Sequence, residues 1–476
     1  MRMAVGSKFK VHNSRNTMIL LALIVVLLIF SLLAVCAFMI NSEDTILDGT
    51  IHVRSEKELR NAVDNALEPT IITLDKDIKL AKSLVISANK NITLTSNNNV
   101  NFFKLIGASK HDPDNPQDTI IVNDGCILRL DGIIVTHVSG AEGWGVFVEF
   151  DGVLILLDGE ISGNTMGLFG GGGVANFGTF EMVGGLITNN EDSGVNLATR
   201  YVGDGVYAAH GGSFVMSGGI ISNNKDSGVN IGYWGSFVMS GGVIANNTAG
   251  CGGGVCAFGG HFEMCGDALI VNNTAENGGG VFVNHALTSC GGSFSMSDNA
   301  VIVNNTAENG GGVYGGNTFE MCGDALIANN TANRNGGGIY VGPGSFELSS
   351  GKIYGNTALD GGGVCNNGNF TMSGGVIADN TAIDDAGGHG GGVYNSNVFA
   401  EVKPDDTFFV SGLFSMSNGV ITNNTAIYGG GVYNNDGIFN RASGVITNNN
   451  AVSKGNDVAS GSVVDHGAPT FPFTRW

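Results

Sequence analysis

Between about residue 150 and residue 450, apolar and polar positions recur in one phrase: Phe-x-Met-Ser-Gly-Gly-x-Ile-x-x-Asn, then Thr-Ala, a glycine-rich stretch and Val-Tyr. Copies begin at Phe180, Phe214, Phe237, Phe262, Phe294, Phe319, Phe346, Phe370, Phe414 and Phe439, and an earlier one at Leu154. The closing asparagine recurs as Asn164, Asn190, Asn224, Asn247, Asn273, Asn305, Asn330, Asn356, Asn380, Asn424 and Asn449. Most of the intervals are 23–26 residues; three are 34, 32 and 44. A fixed period of this length marks a solenoid, in which each unit buries its apolar side only against its neighbours. Each copy holds three short apolar segments, too short for helices and rich in β-branched or aromatic residues; in the copy from Phe370 they are 370–372, 376–378 and 393–394. Glycine and asparagine separate them, as tight turns require. The expectation is an all-β, right-handed parallel β-helix with three strands per coil, each strand lying over its equivalent about 4.8 Å away.

The facing follows from one polar exception. The first place of the middle segment holds Leu186, Ile220, Val243, Val376 and also Lys352, whereas the next holds Ile187, Ile221, Ile244, Ile270, Ile353 and Ile377. Successive strand residues point to opposite faces, so the isoleucine column is expected inside and the Lys352 column outside. Phe and Met, two apart, share the inner face of the preceding strand. For the asparagine column two readings stay open: a structural ladder using left-handed backbone and stacked amides, or a polar ligand surface. The repeat also creates Asn-x-Thr glycosylation acceptors at Asn246, Asn272, Asn304, Asn329 and Asn423, with others at Asn91 and Asn369.

Outside the repeats the pattern changes. Ser55-Glu56-Lys57-Glu58 has capping-box form, and Leu59, Ala62, Val63, Ala66 and Leu67 follow at helical spacing. A capping helix is therefore expected over 55–67, followed by irregular early coils over 68–150 and regular coils over 151–450. Residues 110–118, with Pro113 and Pro116, read as a loop. Arg441 stands in the methionine place of the last copy, which predicts a looser final rung before a polar tail at 451–476. The long intervals predict insertions near 191–203, 284–291 and 395–412, carrying Tyr201, His285, Phe399, Phe408 and Phe409.

At the N-terminus, residues 18–40 are apolar apart from Ser31 and Cys36, long enough to cross a membrane as a helix. Arg2, Lys8, Lys10 and Arg15 precede the run, and Glu43, Asp44 and Asp48 follow it. The charge bias keeps a basic tail of residues 1–17 in the cytoplasm and exports the body beyond a linker at 41–54. A single-pass anchor at the cell surface is the favoured reading. Cleavage at Val35-Cys36-Ala37, giving a secreted protein, is the other.

Composition narrows the function classes. The chain has 476 residues, of which 43% are hydrophobic, 13% charged and 77 glycine. Few charges and much glycine suit a large core with many tight turns. A formal charge of −20 disfavours nucleic-acid binding. Of eight cysteines, Cys36 lies in the apolar run, leaving an odd number. Cys251 and Cys256 flank Gly-Gly-Gly-Val, a poor zinc site without a second pair, so neither metal nor cofactor is expected.

The strings Asn-Asn-Thr-Ala and Gly-Gly-Gly-Val-Tyr, as in 304–307 with 310–314 and 423–426 with 429–433, resemble the repeats of polymorphic outer membrane proteins and adhesin-like β-helix proteins. The resemblance covers about 150–450. It implies a pectate-lyase-like fold and a surface role, but no catalytic residues, and too little chain follows the repeats for those proteins' membrane barrel. Catalysis on polysaccharides is the rival. Asp379, Asp384 and Asp385, followed by Gly388-His389-Gly390, resemble the Asp-Asp and Gly-His-Gly motifs of polygalacturonases. Here the motifs crowd into one coil, and the family's Arg-x-Lys is missing. Asp384, Asp385 and His389 are the candidate catalytic residues; the favoured reading is a non-catalytic, adhesin-like protein touching glycans or cell-surface proteins.

Overall fold

The structure is a computed structural model that describes residues 50–98, 101–107, 118–138, 141–165, 172–197, 211–284, 292–382, 387–403 and 406–460, with no side-chain description for 398–411. Its strands assemble into three sheets in which nearly every pairing is parallel, one coil upon the next, the arrangement of a parallel β-helix. The largest, of 27 strands, contains both the Phe-x-Met and the Ile segments; the Val-Tyr strands form a second of 15, and the Thr-Ala strands a third of eight.

Register follows the repeat residue for residue. Phe214 lies opposite Phe237, Phe237 opposite Phe262, and Phe262 opposite Phe294. The rings from Phe180 to Phe439 stack with centroids 4.6–5.0 Å apart and planes within 4–15°. Identical side chains one coil apart sit at the strand spacing, so rings of one rotamer pack face to face without adjustment. The methionine, isoleucine and valine columns are equally buried, and with Phe they form one continuous core. Lys352 is exposed and Ile220 is 44% exposed, while Ile353 and Ile221 are fully buried, as the alternation requires.

The coils from Phe180 and Phe214 contain the three strand segments expected, and from Thr248 onward there are four. Thr-Ala, which reads as part of a turn, forms a strand of its own from Thr248–Cys251 to Asn450–Lys454. It escaped the apolar pattern because alanine is its one inward apolar residue; Ala307 and Ala332 are buried between exposed neighbours.

The one helix among the described residues, Glu56–Asn65, lies between the edge strand Ile51–Val53 and Thr70–Leu74. The Ser55 hydroxyl accepts from the Glu58 amide at 3.3 Å, and the Glu58 carboxylate accepts from the Arg54 amide at 2.7 Å, one residue before the usual capping-box partner. Leu59, Ala62 and Val63 join the core. Strands at Leu84–Ile86, Asn91–Ser96, Ile120–Val122 and Ile127–His137 build the early coils within 68–150. At the far end Phe439 is half-buried and Arg441 is exposed, its guanidinium donating to the Gly444 carbonyl, so the last rung does open to solvent.

The longest insertion is an antiparallel hairpin, Val393–Lys403 against Asp406–Ser411, with Phe399 opposite Phe409. Tyr201, His285, most of 110–118 and the predicted span at 18–40 lie outside the described residues. Among the described residues no helix is long and apolar enough to cross a membrane.

Candidate functional site

Two adjacent asparagines close most repeats, and they do different things. The first, as Asn246, Asn272, Asn304, Asn329 and Asn423, has φ of 52–58° and an exposed side chain. The second turns inward. Asn273 Oδ1 accepts from both the backbone N–H and the Nδ2 of Asn247, at 2.9 and 3.0 Å. Its own Nδ2 donates to Asn305 Oδ1 and to the Ile244 carbonyl, each at 3.1 Å. This bonding repeats from Asn164 to Asn449. His137 Nδ1 lies 2.9 Å from Asn164 Oδ1 at the start, and Asp457 Oδ1 accepts from Asn449 at the close. The left-handed turn and the stacked amides thus belong to neighbouring columns, whereas one column was expected to supply both.

A second set of columns lies outside the core. In the Val-Tyr strands valine points in and the next residue out, yet Phe282, Tyr314, Tyr340, Cys365, Tyr394 and Tyr433 are all buried. The chain doubles back at the glycine-rich turn, so the residue before that turn packs over the outward ring. That residue is Cys251, Asn277, Asn309, Asn335, Asp360, His389, Tyr428 and Lys454 in successive coils. Asn335 Nδ2 donates to Asn309 Oδ1 at 2.9 Å, and Asn309 Nδ2 to Asn277 Oδ1 at 3.1 Å. Parallel bridges continue the column through Asn335, Asp360, His389 and Tyr428.

His389, the one candidate catalytic residue within the described chain, is a rung of this column. Its Nδ1 lies 2.7 Å from Asp360 Oδ1, which also accepts its backbone N–H at 3.1 Å. Its ring stacks on Tyr428 at 5.3 Å and meets Tyr433 at 4.9 Å and Tyr394 at 6.1 Å. Asp360 and His389 side chains are 4% and 5% exposed, so solvent reaches neither freely. Burial, and secondarily the Asp360 charge, pushes the Tyr394 phenol up; the Tyr433 phenol is raised by burial, then Tyr428, then Asp360. The Tyr394 hydroxyl accepts from Asn435 Nδ2 at 2.8 Å, which keeps its polar tip satisfied indoors.

Asp384 and Asp385 lie outside the described residues; Asp379, named with them, occupies the left-handed place with φ 57°. Asp360 was not anticipated as the partner of His389. The signal was present, because both residues immediately precede the glycine turn of consecutive copies.

Among the described residues Cys126, Cys251, Cys256, Cys265 and Cys322 are free thiols, and no group of three or more His, Cys, Asp or Glu could hold a metal ion. Burial pushes the Cys251 and Cys265 thiols up to about 11. No family model, no curated protein and no solved structure matches the chain.

Proposed function

We propose that the protein is a right-handed β-helical rod displayed at the cell surface. In this reading it is anchored through residues 18–40 or released by their cleavage, and it touches glycans or surface proteins with its outer face without catalysis. Right-handedness follows from the twist of parallel strands joined by crossovers. Fourteen strands run along the second sheet, which at about 4.8 Å per coil is a rod of roughly 60 Å.

The observation that supports this reading most is the use made of buried polar residues. Asparagines from Asn164 to Asn449 and the Asp360–His389 pair bond along the axis, one coil to the next. A hydrolase or lyase needs its acid, base or cation ligands turned toward an open cleft; these groups hold coils together instead. The resemblance to adhesin-like repeats points the same way.

A glycan array combined with an assay on polyuronates tests the proposal. The expected result is binding with no product release. Release of unsaturated or reducing ends, abolished by Asp384→Asn or Asp385→Asn, would replace the proposal with a polysaccharide-active enzyme.

A further inference from the structure

The third sheet has a beginning. Its order opens with Thr248–Cys251, which pairs downstream with Thr274–Asn277 and has no upstream strand neighbour in that sheet among the described residues. It is an edge strand of four residues, and Gly250 offers no side chain to pack against a neighbour. Cys251 ends this strand, and Cys256 follows it across the glycine turn.

We propose that Cys251 and Cys256 are a thiol pair that closes to a disulfide in an oxidising compartment and staples the edge of the third sheet. The columns place them face to face. In later coils the same two places hold His389 with Tyr394 and Tyr428 with Tyr433, whose rings meet at 6.1 and 6.5 Å. Both cysteines belong to the same outer cluster, Cys256 buried and Cys251 packed against it. The turn between them is closed tightly. Gly252 has φ 58°, and a Cβ there would fall 2.7 Å from the Cys256 Cα. The chain leaving Cys251 therefore turns back so that Cys256 lies beside Gly252, the residue next to Cys251, and one tight turn carries a cysteine on each arm. No other two described cysteines share a coil in this way: Cys265 and Cys322 stand two coils apart, in places that Ser297 occupies between them.

The chemistry balances with a small disulfide as oxidant. The Cys251 thiolate, the more exposed of the two, attacks one sulfur of oxidised glutathione and expels one glutathione thiolate. The Cys256 thiolate then attacks the Cys251 sulfur and expels the protein-bound glutathione. Two protein thiols are oxidised, one glutathione disulfide is reduced, and the two protons pass to the released thiolates. Burial, with Glu276 and Asp226 nearby, holds the Cys251 thiol up to about 11. Closure should therefore speed up roughly tenfold per pH unit below that value.

The test uses the full chain, reduced and then exchanged with oxidised glutathione. Remaining thiols are alkylated after unfolding, and the cysteine peptides are mapped by mass. The expected product joins Cys251 to Cys256 and is lighter by two hydrogens than the reduced pair. With Cys256→Ser, Cys251 should stop at a lasting glutathione adduct. The proposal is overturned if the wild-type chain keeps that adduct, if Cys251 joins a different cysteine, or if both thiols remain open to alkylation.

Discussion

At the residue scale, the distinction that matters most is between neighbours. Asn272 and Asn273 are identical in type and adjacent, yet one is exposed in a left-handed turn and the other is fully buried in a ladder. Asn273→Ala removes the acceptor used by two Asn247 donors and the donor used by the Ile244 carbonyl. At about 1–3 kcal/mol for each of these three buried groups left unsatisfied, the loss is roughly 3–9 kcal/mol. Asn272→Ala places a less tolerant residue at positive φ and loses about 1 kcal/mol. Chemical unfolding of the two variants checks the ratio. Val376 and Ile377 make a parallel pair across the sheet: Ile377 is fully buried and Val376 is only half-buried. Val376→Lys is expected to stay within about 0.5 kcal/mol of the parent, whereas Ile377→Lys buries a charge and loses 4 kcal/mol or more. Thermal midpoints that fall equally would contradict the facing.

At the element scale, legibility depended on how many apolar residues a segment turns inward. The Phe-x-Met and isoleucine strands each announce themselves by an inward column, of phenylalanine or of isoleucine, without polar exceptions. The Thr-Ala strand has one small inward residue and no apolar run, so its sheet could be seen only in the structure. The outer layer was hidden for a different reason. Alternation alone places Tyr314 or Tyr394 in water, and only the return of the chain at the glycine turn covers them. The same return hid the pairing of His389 with Asp360, 29 residues apart. Candidate chemistry was therefore less legible than fold: a histidine in a Gly-His-Gly string reads as a catalytic motif until its column neighbours are known.

The outer layer also carries a pH dependence. Burial raises the Tyr314, Tyr394 and Tyr433 phenols above the ordinary value of 10. A raised folded value means the neutral form is favoured in the folded chain. Their contribution to stability is thus complete below pH 10 and is lost as pH rises through the folded values. Alkaline titration followed by phenolate absorbance should show these tyrosines ionising late and together with unfolding. Smooth titration of all tyrosines near pH 10, with the fold intact, would mean that the outer columns are open to water.

At the scale of the whole molecule, one geometric rule links every column: equivalent residues stand one coil apart along a single axis. The phenylalanine stack, the asparagine ladder and the outer tyrosines are three consequences of it, and the rod proposed as a surface module is a fourth. The rule is tested most directly by distances between outward threonines of the third sheet. Spin labels carried on noncanonical residues would leave the native thiols untouched. Thr248 and Thr357 stand four coils apart, and Thr248 and Thr425 six. Pulsed dipolar measurements should give about 19 and about 29 Å before the label arms are added, an increase of about 4.8 Å per coil. Separations that fail to grow with the number of coils would contradict the β-helix and the columns together.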